Sequence, residues 1–348
     1  MVDWLAGNCT NCLHHPMITW TNYILQAVLI PLICILGIVG NIVAIIILGN
    51  PRMKSTFHQS LIALATCDIM FLFLIINDFL ADKLYSFYTL IFPYFINPMK
   101  NILLCWETFL IMSITTERYL AVCKPLLYRS HKLSHSPVVH LLTYIVPPIL
   151  FAFLLNIPRF FETELTRVNI TDMKNITMEK YGFALSKLKL DPTYTFYYTH
   201  LTNLICTGLI PFLFLLFINT TMYISIRRSK RLSTQMLVLY TLPAMVREEF
   251  IRNMERKDSR KHCATLAAIV VLFLVCNTPR LGVNFLDYYS SAMVSGINCH
   301  HNVCWLELFV LLSHLFLVIN SASNFLIYYS VSRRFKEVFL IKIKFLRR

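Results

Sequence analysis

Several charged and amide side chains stand inside long apolar runs, where they need a reason to be. Asp68 interrupts ALATCDIM, Glu107 interrupts LCWETFL, and Glu117-Arg118-Tyr119 closes the run that Glu107 begins. Asn41 lies in GIVGNIVAI, and Asn320, Ser321, Asn324 and Tyr328 share a further apolar stretch. An ionised group at the centre of a bilayer costs about 3 kcal/mol on insertion scales, so such groups face a bundle interior and pair or bind something. Glu107 and Arg118 are 11 residues apart, about three helical turns, and so share one helix face. Such groups can hold ion pairs, protons or a small cation. They do not make a hydrolytic or metal centre, since His140, His200 and His314 are scattered without a His-x-x-x-His pair or a nucleophile beside them. An enzyme is therefore not expected.

The elements that position these groups follow from hydropathy. A spanning helix needs about 20 mostly apolar residues. Seven stretches qualify: Tyr23–Leu48, Phe57–Ile76, Asn101–Val122, Val138–Ile157, Tyr198–Ile226, Cys263–Phe285 and Trp305–Tyr329. Leu232–Val246 is also apolar, but it is too short for a span and reads as interfacial or buried. The expected fold is an all-α membrane protein, a seven-transmembrane helix bundle with a short interfacial helix at its carboxyl end. The expected divisions are an outer amino-terminal segment over 1–22, the bundle over 23–330 and a cytoplasmic tail or interfacial helix over 331–348. Met1–Pro16 has no apolar core, so the first span is expected to act as a signal anchor.

Composition agrees. Of the 348 residues 57% are hydrophobic and 14% charged, against about 25% charged in soluble domains. Mean hydropathy is +0.60. The net charge of +14 invites a nucleic-acid partner, but its placement points to topology instead. Of the 32 Lys and Arg, 22 fall on the side of the loops after the first, third and fifth spans and of the tail, including Arg52, Lys124, the cluster from Arg227 to Lys261 and the run from Arg333. Lys and Arg collect on the cytoplasmic side, so the amino terminus is expected outside, at the plasma membrane, and no nucleic acid is implied. The glycosylation sequons at Asn8, Asn169 and Asn175 fall on that same outer side. Four of the eleven cysteines, Cys9, Cys12, Cys299 and Cys304, lie in outer segments and are disulfide candidates. Their pairing is open: the tail to the last outer loop, or a short Cys299–Cys304 loop.

The order of the motifs carries a resemblance. TERYLAVCKPL resembles the signature of rhodopsin-like (class A) G-protein-coupled receptors, Asn41 and Asp68 match that family's polar positions, and Pro211 and Pro279 match its proline kinks. NSASNFLIY resembles the family's Asn-Pro-x-x-Tyr motif, with Phe325 in place of proline. NIPRFFE (156–162), CNTPR (276–280), FPYFINP (92–98) and NFLIYYSVSRRFKEVF look like the invertebrate FMRFamide-receptor-like neuropeptide receptors. The family's outer cysteine is replaced by Pro93, and the loop Arg159–Thr195 has no partner cysteine. No tryptophan stands before Pro279 in the sixth span, which leaves Asn277 and Phe273 nearest to the family's toggle position.

The resemblance implies a cell-surface receptor, activated by a short FMRFamide-like peptide and signalling through a heterotrimeric G protein. A lipid or other small-molecule ligand is the alternative, and a transporter a distant one. By resemblance, Glu117, Arg118, Tyr119, Asn324 and Tyr328 form the coupling switch. Asn41, Asp68, Glu107, Asn320, Ser321 and Asn324 gather around a polar pocket. Two carboxylates in one low-dielectric site cannot both stay charged without a counterion, so an allosteric sodium ion is the one candidate cofactor. Ligand-contact candidates are Asp78, Lys100, Glu162, Tyr197, Arg280, Asn284, Asp287 and Glu307; the carboxylates suit a guanidinium, and Lys100 disfavours a monoamine. Membrane lipid is expected against the basic tail. Arrestin, if it binds, would use Ser229, Ser233, Thr234 or Ser259 of the third inner loop.

Overall fold

The computed structural model describes residues 20–21, 23–53, 55–80, 90–134, 136–171, 177–237, 263–283 and 302–346. Within them the chain is a bundle of long helices. α1 (Ile30–Leu48) follows a wide-turned start at Ile24–Leu29; α2 is Thr56–Leu80, α3 Asn97–Cys123 and α4 Pro137–Asn156. α5 (Ile210–Leu237) follows wide turns over Thr195–Leu209 and α6 is Cys263–Val283. α7 comprises Asn302–Ala322 and Asn324–Val331, and α8 (Arg333–Leu346) completes the described chain.

Five of these are long and apolar enough to cross a membrane, and α7 makes a sixth when its two parts are taken as one span. α3 is long enough at 27 residues but carries Lys100, Glu107, Glu117 and Arg118. It lies at the centre, packed against α2, α4 and α5. A helix surrounded by other helices can hold charges that a lipid-facing one cannot.

The polarity of the bundle is inverted relative to a water-soluble core. Phe217, Leu36 and Leu154 are 68%, 63% and 61% exposed, whereas Asp68 and Glu117 are 0% exposed. Apolar side chains outside and charges inside are what a hydrocarbon solvent selects.

Local chemistry sets the helix boundaries. Ser136 caps α4 by accepting from the Val139 N–H, with Pro137 in the first turn where its missing N–H costs nothing. α3 is preceded without a break by wide turns over Phe92–Ile96, so the helical run begins earlier than hydropathy suggests, with Pro98 just past the junction. The wide turns before α5 end at Pro211, which cannot donate to the carbonyl four residues back. α5 runs on to Leu237 and takes up the first part of the Leu232–Val246 segment; the remainder lies outside the described residues.

α7 bends by 46° at Ser323, although no proline is present. The Ser323 hydroxyl donates to the Ile319 carbonyl at 2.6 Å. A hydroxyl that bonds back into its own helix competes with the ladder and bends it. Gly37 of α1 faces that region, where an added Cβ would lie 2.6 Å from the Ala322 Cβ. The absence of a side chain there lets α1 and α7 approach closely.

The loop after α4 contains an element that hydropathy does not announce. β1 (Thr163–Thr171) pairs antiparallel with β2 (Thr177–Leu185), in the register Thr163↔Leu185 to Thr171↔Thr177. α8 packs Phe335 and Val338 inward, its Lys342 Nζ donating to the Ile46 carbonyl at 3.3 Å. The tail is thus helical rather than frayed.

Candidate functional site

The polar groups resolve into three clusters along the bundle. At the end of α3, Glu117 Oε1 accepts from Arg118 at 2.5 Å and from the Tyr128 hydroxyl at 3.0 Å. Tyr128 stands on the short helix Pro125–Ser134, which begins at a proline just past α3. Burial, and then Glu117 beside it, hold the Tyr128 phenol well above its ordinary range, so it stays a donor. The Arg118 guanidinium lies 4.8 Å over the Phe57 ring of α2. The His140 ring backs this cluster, 5.6 Å from Tyr128 and 5.3 Å from Tyr144. Tyr119 is half-buried. Tyr328 is fully buried against Phe335, and its hydroxyl has no hydrogen-bond partner among the described residues. It lines a small cleft with Phe57, His58, Thr265 and Phe335.

The second cluster sits mid-bundle. Asn324 donates to Asp68 Oδ2 at 2.6 Å, Asn320 donates to Glu107, and Asn41 donates to the Ser321 carbonyl at 2.8 Å. Four helices thus converge: α1, α2, α3 and α7. The carboxyls of Asp68 and Glu107 lie within electrostatic reach of each other, with Ser321 beside both. Asp68 Oδ1, Asn41 Oδ1 and the Ser321 hydroxyl have no hydrogen-bond partner of normal geometry among the described residues. Buried oxygens of this kind fit a hard cation, which takes carboxylate, amide and hydroxyl donors.

The third cluster lies at the other end. Glu162 is a hub: Oε2 takes Arg159 at 3.1 Å and Lys189 at 3.6 Å, while Oε1 accepts from the Tyr194 hydroxyl at 3.0 Å. Lys189 also donates to Thr199 at 2.8 Å, and Arg159 lies 5.6 Å over the Tyr198 ring. The hairpin is tied in at its base, where Thr163 donates to the Pro93 carbonyl at 3.5 Å and Ser186 to the Phe161 carbonyl at 2.5 Å. Pro93, which stands where the resembled family has a cysteine, is therefore joined to the loop by a hydrogen bond.

Of the expected ligand contacts, Asp78 is engaged by Lys100 at 2.7 Å, and Glu162 by its two cations. Tyr197 is 59% exposed. Arg280 lines a small cleft between α5 and α6 with Phe212, Phe273 and Asn277. Asn284, Asp287, Cys9, Cys12, Cys299, Asn8 and Asn175 lie outside the described residues, as do the side chains of Glu307, Cys304 and Asn169. Hydropathy and motif matching missed Tyr128, Arg159, Lys189 and Tyr194. Only Arg159 carried a usable signal, its i,i+3 spacing from Glu162.

Comparison with known proteins agrees in order and extent. Residues 40–328 match the family described as 7 transmembrane receptor (rhodopsin family). The chain is 29% identical over 324 residues to the FMRFamide receptor of Drosophila melanogaster, covering 90% of this chain and 53% of that protein. It is 24% identical over 336 residues to the sex peptide receptor of the same fly, covering 89% of this chain and 70% of that protein. It is 26% identical over 337 residues to an FMRFamide peptide receptor of Caenorhabditis elegans, covering 91% and 69%. The chain thus spans about half the length of the fly FMRFamide receptor.

Proposed function

The chain belongs to the rhodopsin family of seven-transmembrane receptors, and from that premise we propose that it is a cell-surface receptor for a short, FMRFamide-like neuropeptide. It is a multi-pass membrane protein of a receptor family and not an enzyme. The likeness to FMRFamide receptors of fly and worm, over nine-tenths of the chain, carries the reading. In this reading the amino terminus and the hairpin face outward, as the charge distribution favours. The peptide enters beside α5, α6 and the hairpin, and a G protein docks against α3, α5 and α6 at the other end.

Signalling is then a population shift between two bundle arrangements. Glu117 and Tyr128 hold Arg118 in the resting one, and agonist favours the arrangement in which Arg118 turns toward the G protein. Asp68, Asn41 and Ser321 supply donors for a sodium ion that stabilises the resting arrangement, with Glu107 as a second carboxyl beside it.

A panel of synthetic amidated peptides ending in Arg-Phe-amide, read by calcium or cAMP in cells displaying the receptor, tests the ligand class. Activation by members of the panel and silence toward their free-acid forms or toward lipids supports it; activation by a lipid alone refutes it. For the ion, sodium should weaken agonist binding in the wild type, and Glu107→Ser should change that dependence. Identical sodium titrations of the two proteins would remove Glu107 from the pocket.

A further inference from the structure

Charge in the outer half of the bundle is distributed unevenly. Among the described residues, the outer carboxyls singled out as acceptors for a cationic ligand are both engaged: Asp78 by Lys100, and Glu162 by Arg159, Lys189 and Tyr194. Arg280 has no hydrogen bond or ion pair within the described residues. It projects from α6 one position after Pro279 and lines the cleft with Phe212 and Phe273. The other polar lining groups bond back to their own helices: Asn277 donates one N–H to the Phe273 carbonyl at 2.9 Å, and Thr207 its hydroxyl to the Asn203 carbonyl at 2.7 Å. Arg280 is therefore the charged donor that this cleft offers. The acid whose field reaches it, Glu107, accepts from Asn320 instead of pairing with it. Arg159 acts on the same part of α3, around Cys105, and adds positive field.

We infer that this cleft is a carboxylate subsite: Arg280 takes the carboxylate, and Phe212 and Phe273 take an aromatic ring beside it. A guanidinium binds a carboxylate through two parallel N–H···O bonds, which gives both strength and orientation. Phenyl rings alongside exclude water and strengthen that pairing. The inference deepens the peptide reading and rests on it for the ligand's class. It adds that the peptide presents an acidic side chain next to an aromatic residue. A free carboxyl terminus in this subsite would contradict the amidated-peptide reading, and the test separates the two.

The experiment uses purified full-length receptor in detergent and follows its unfolding midpoint with four probes. N-acetylphenylalanine carries a terminal carboxylate, and N-acetylaspartyl-phenylalaninamide a side-chain carboxylate. N-acetylphenylalaninamide and N-acetylasparaginyl-phenylalaninamide are their neutral counterparts. At ten times its dissociation constant, a carboxylate probe should raise the midpoint by about 2–4 °C, and its neutral counterpart should not. The acid that acts identifies the source. Arg280→Gln should erase the difference between acid and amide. Arg280→Lys keeps the charge but loses the fork, so it should bind the acid at least about threefold more weakly. Equal shifts from acids and amides in the wild type would overturn the subsite, as would no shift from any probe, acid selectivity that survives Arg280→Gln, or undiminished binding in Arg280→Lys. The four probes are independent of the amidated-peptide panel. Silence of that panel with acid-selective stabilisation here would sink the peptide class and leave the subsite standing.

Discussion

The bundle uses one set of parts twice. At the end of α3, a buried Glu117 accepts from Arg118 and from the Tyr128 hydroxyl. Beyond α4, a buried Glu162 accepts from Arg159 and from the Tyr194 hydroxyl. The difference is saturation. Glu162 has a second cation in Lys189, and both its oxygens are engaged. Glu117 has both partners on Oε1, while its Oε2 has none among the described residues. A buried carboxylate that is fully satisfied locks what surrounds it, and a partly satisfied one is poised to change partners. In the proposed reading the Glu162 cluster is a clamp on the hairpin, whose loop has no cysteine, and the Glu117 cluster is the switch.

The largest effect expected from breaking this comparison is at Arg118. Arg118→Ala should abolish G-protein activation while leaving agonist binding and surface display intact. Normal signalling from a displayed Arg118→Ala receptor would show that the pair is structural at both ends.

Next is the clamp itself. Glu162→Gln leaves Arg159 and Lys189 without their counter-charge, and breaking a buried pair costs about 3–5 kcal/mol. The unfolding midpoint should fall by about 10 °C, with basal signalling per displayed receptor unchanged. A receptor of wild-type stability, or one with raised basal signalling, would merge the two clusters into one kind.

The tyrosines sharpen the contrast most finely. A single hydrogen bond is worth about 1 kcal/mol. Tyr128→Phe should therefore raise basal signalling by up to about fivefold without lowering stability. Tyr194→Phe should lower the unfolding midpoint by about 2–4 °C without raising basal signalling. Dose–response and thermal-melt curves on both variants check this, and a swapped pattern would reverse the assignment of clamp and switch.

How much of this could be read from sequence follows from the physics of each part. The apolar runs are legible because bilayer thickness demands them, and the helix ends differ most at α2, which runs on to Leu80, and at α3 and α5. α3 and the wide-turned stretch Phe92–Ile96 that leads into it reach back before the apolar run, and α5 runs beyond its own to Leu237. The residues of the polar pocket were legible because charges in apolar runs stand out. The bend at Ser323 was not, since a hydroxyl bonding back to Ile319 replaces the expected proline. The hairpin was hidden because its strands mix polar and apolar residues without strict alternation and depend on pairing with each other. The partners of Glu117 and Glu162 were hidden for a similar reason. Tyr128, Lys189 and Tyr194 reach them from neighbouring short helices whose placement is tertiary.

The central claim is that the Glu117–Arg118 pair restrains the resting receptor, and ligand-free nucleotide exchange measures that restraint. The wild type and Glu117→Gln, reconstituted in lipid nanodiscs at equal amounts, are each mixed with purified heterotrimeric G proteins, and GTP exchange is timed without peptide. The account predicts several-fold faster exchange from Glu117→Gln, because the neutral amide no longer holds the guanidinium. Equal rates, with both receptors folded and able to bind the G protein, would contradict it.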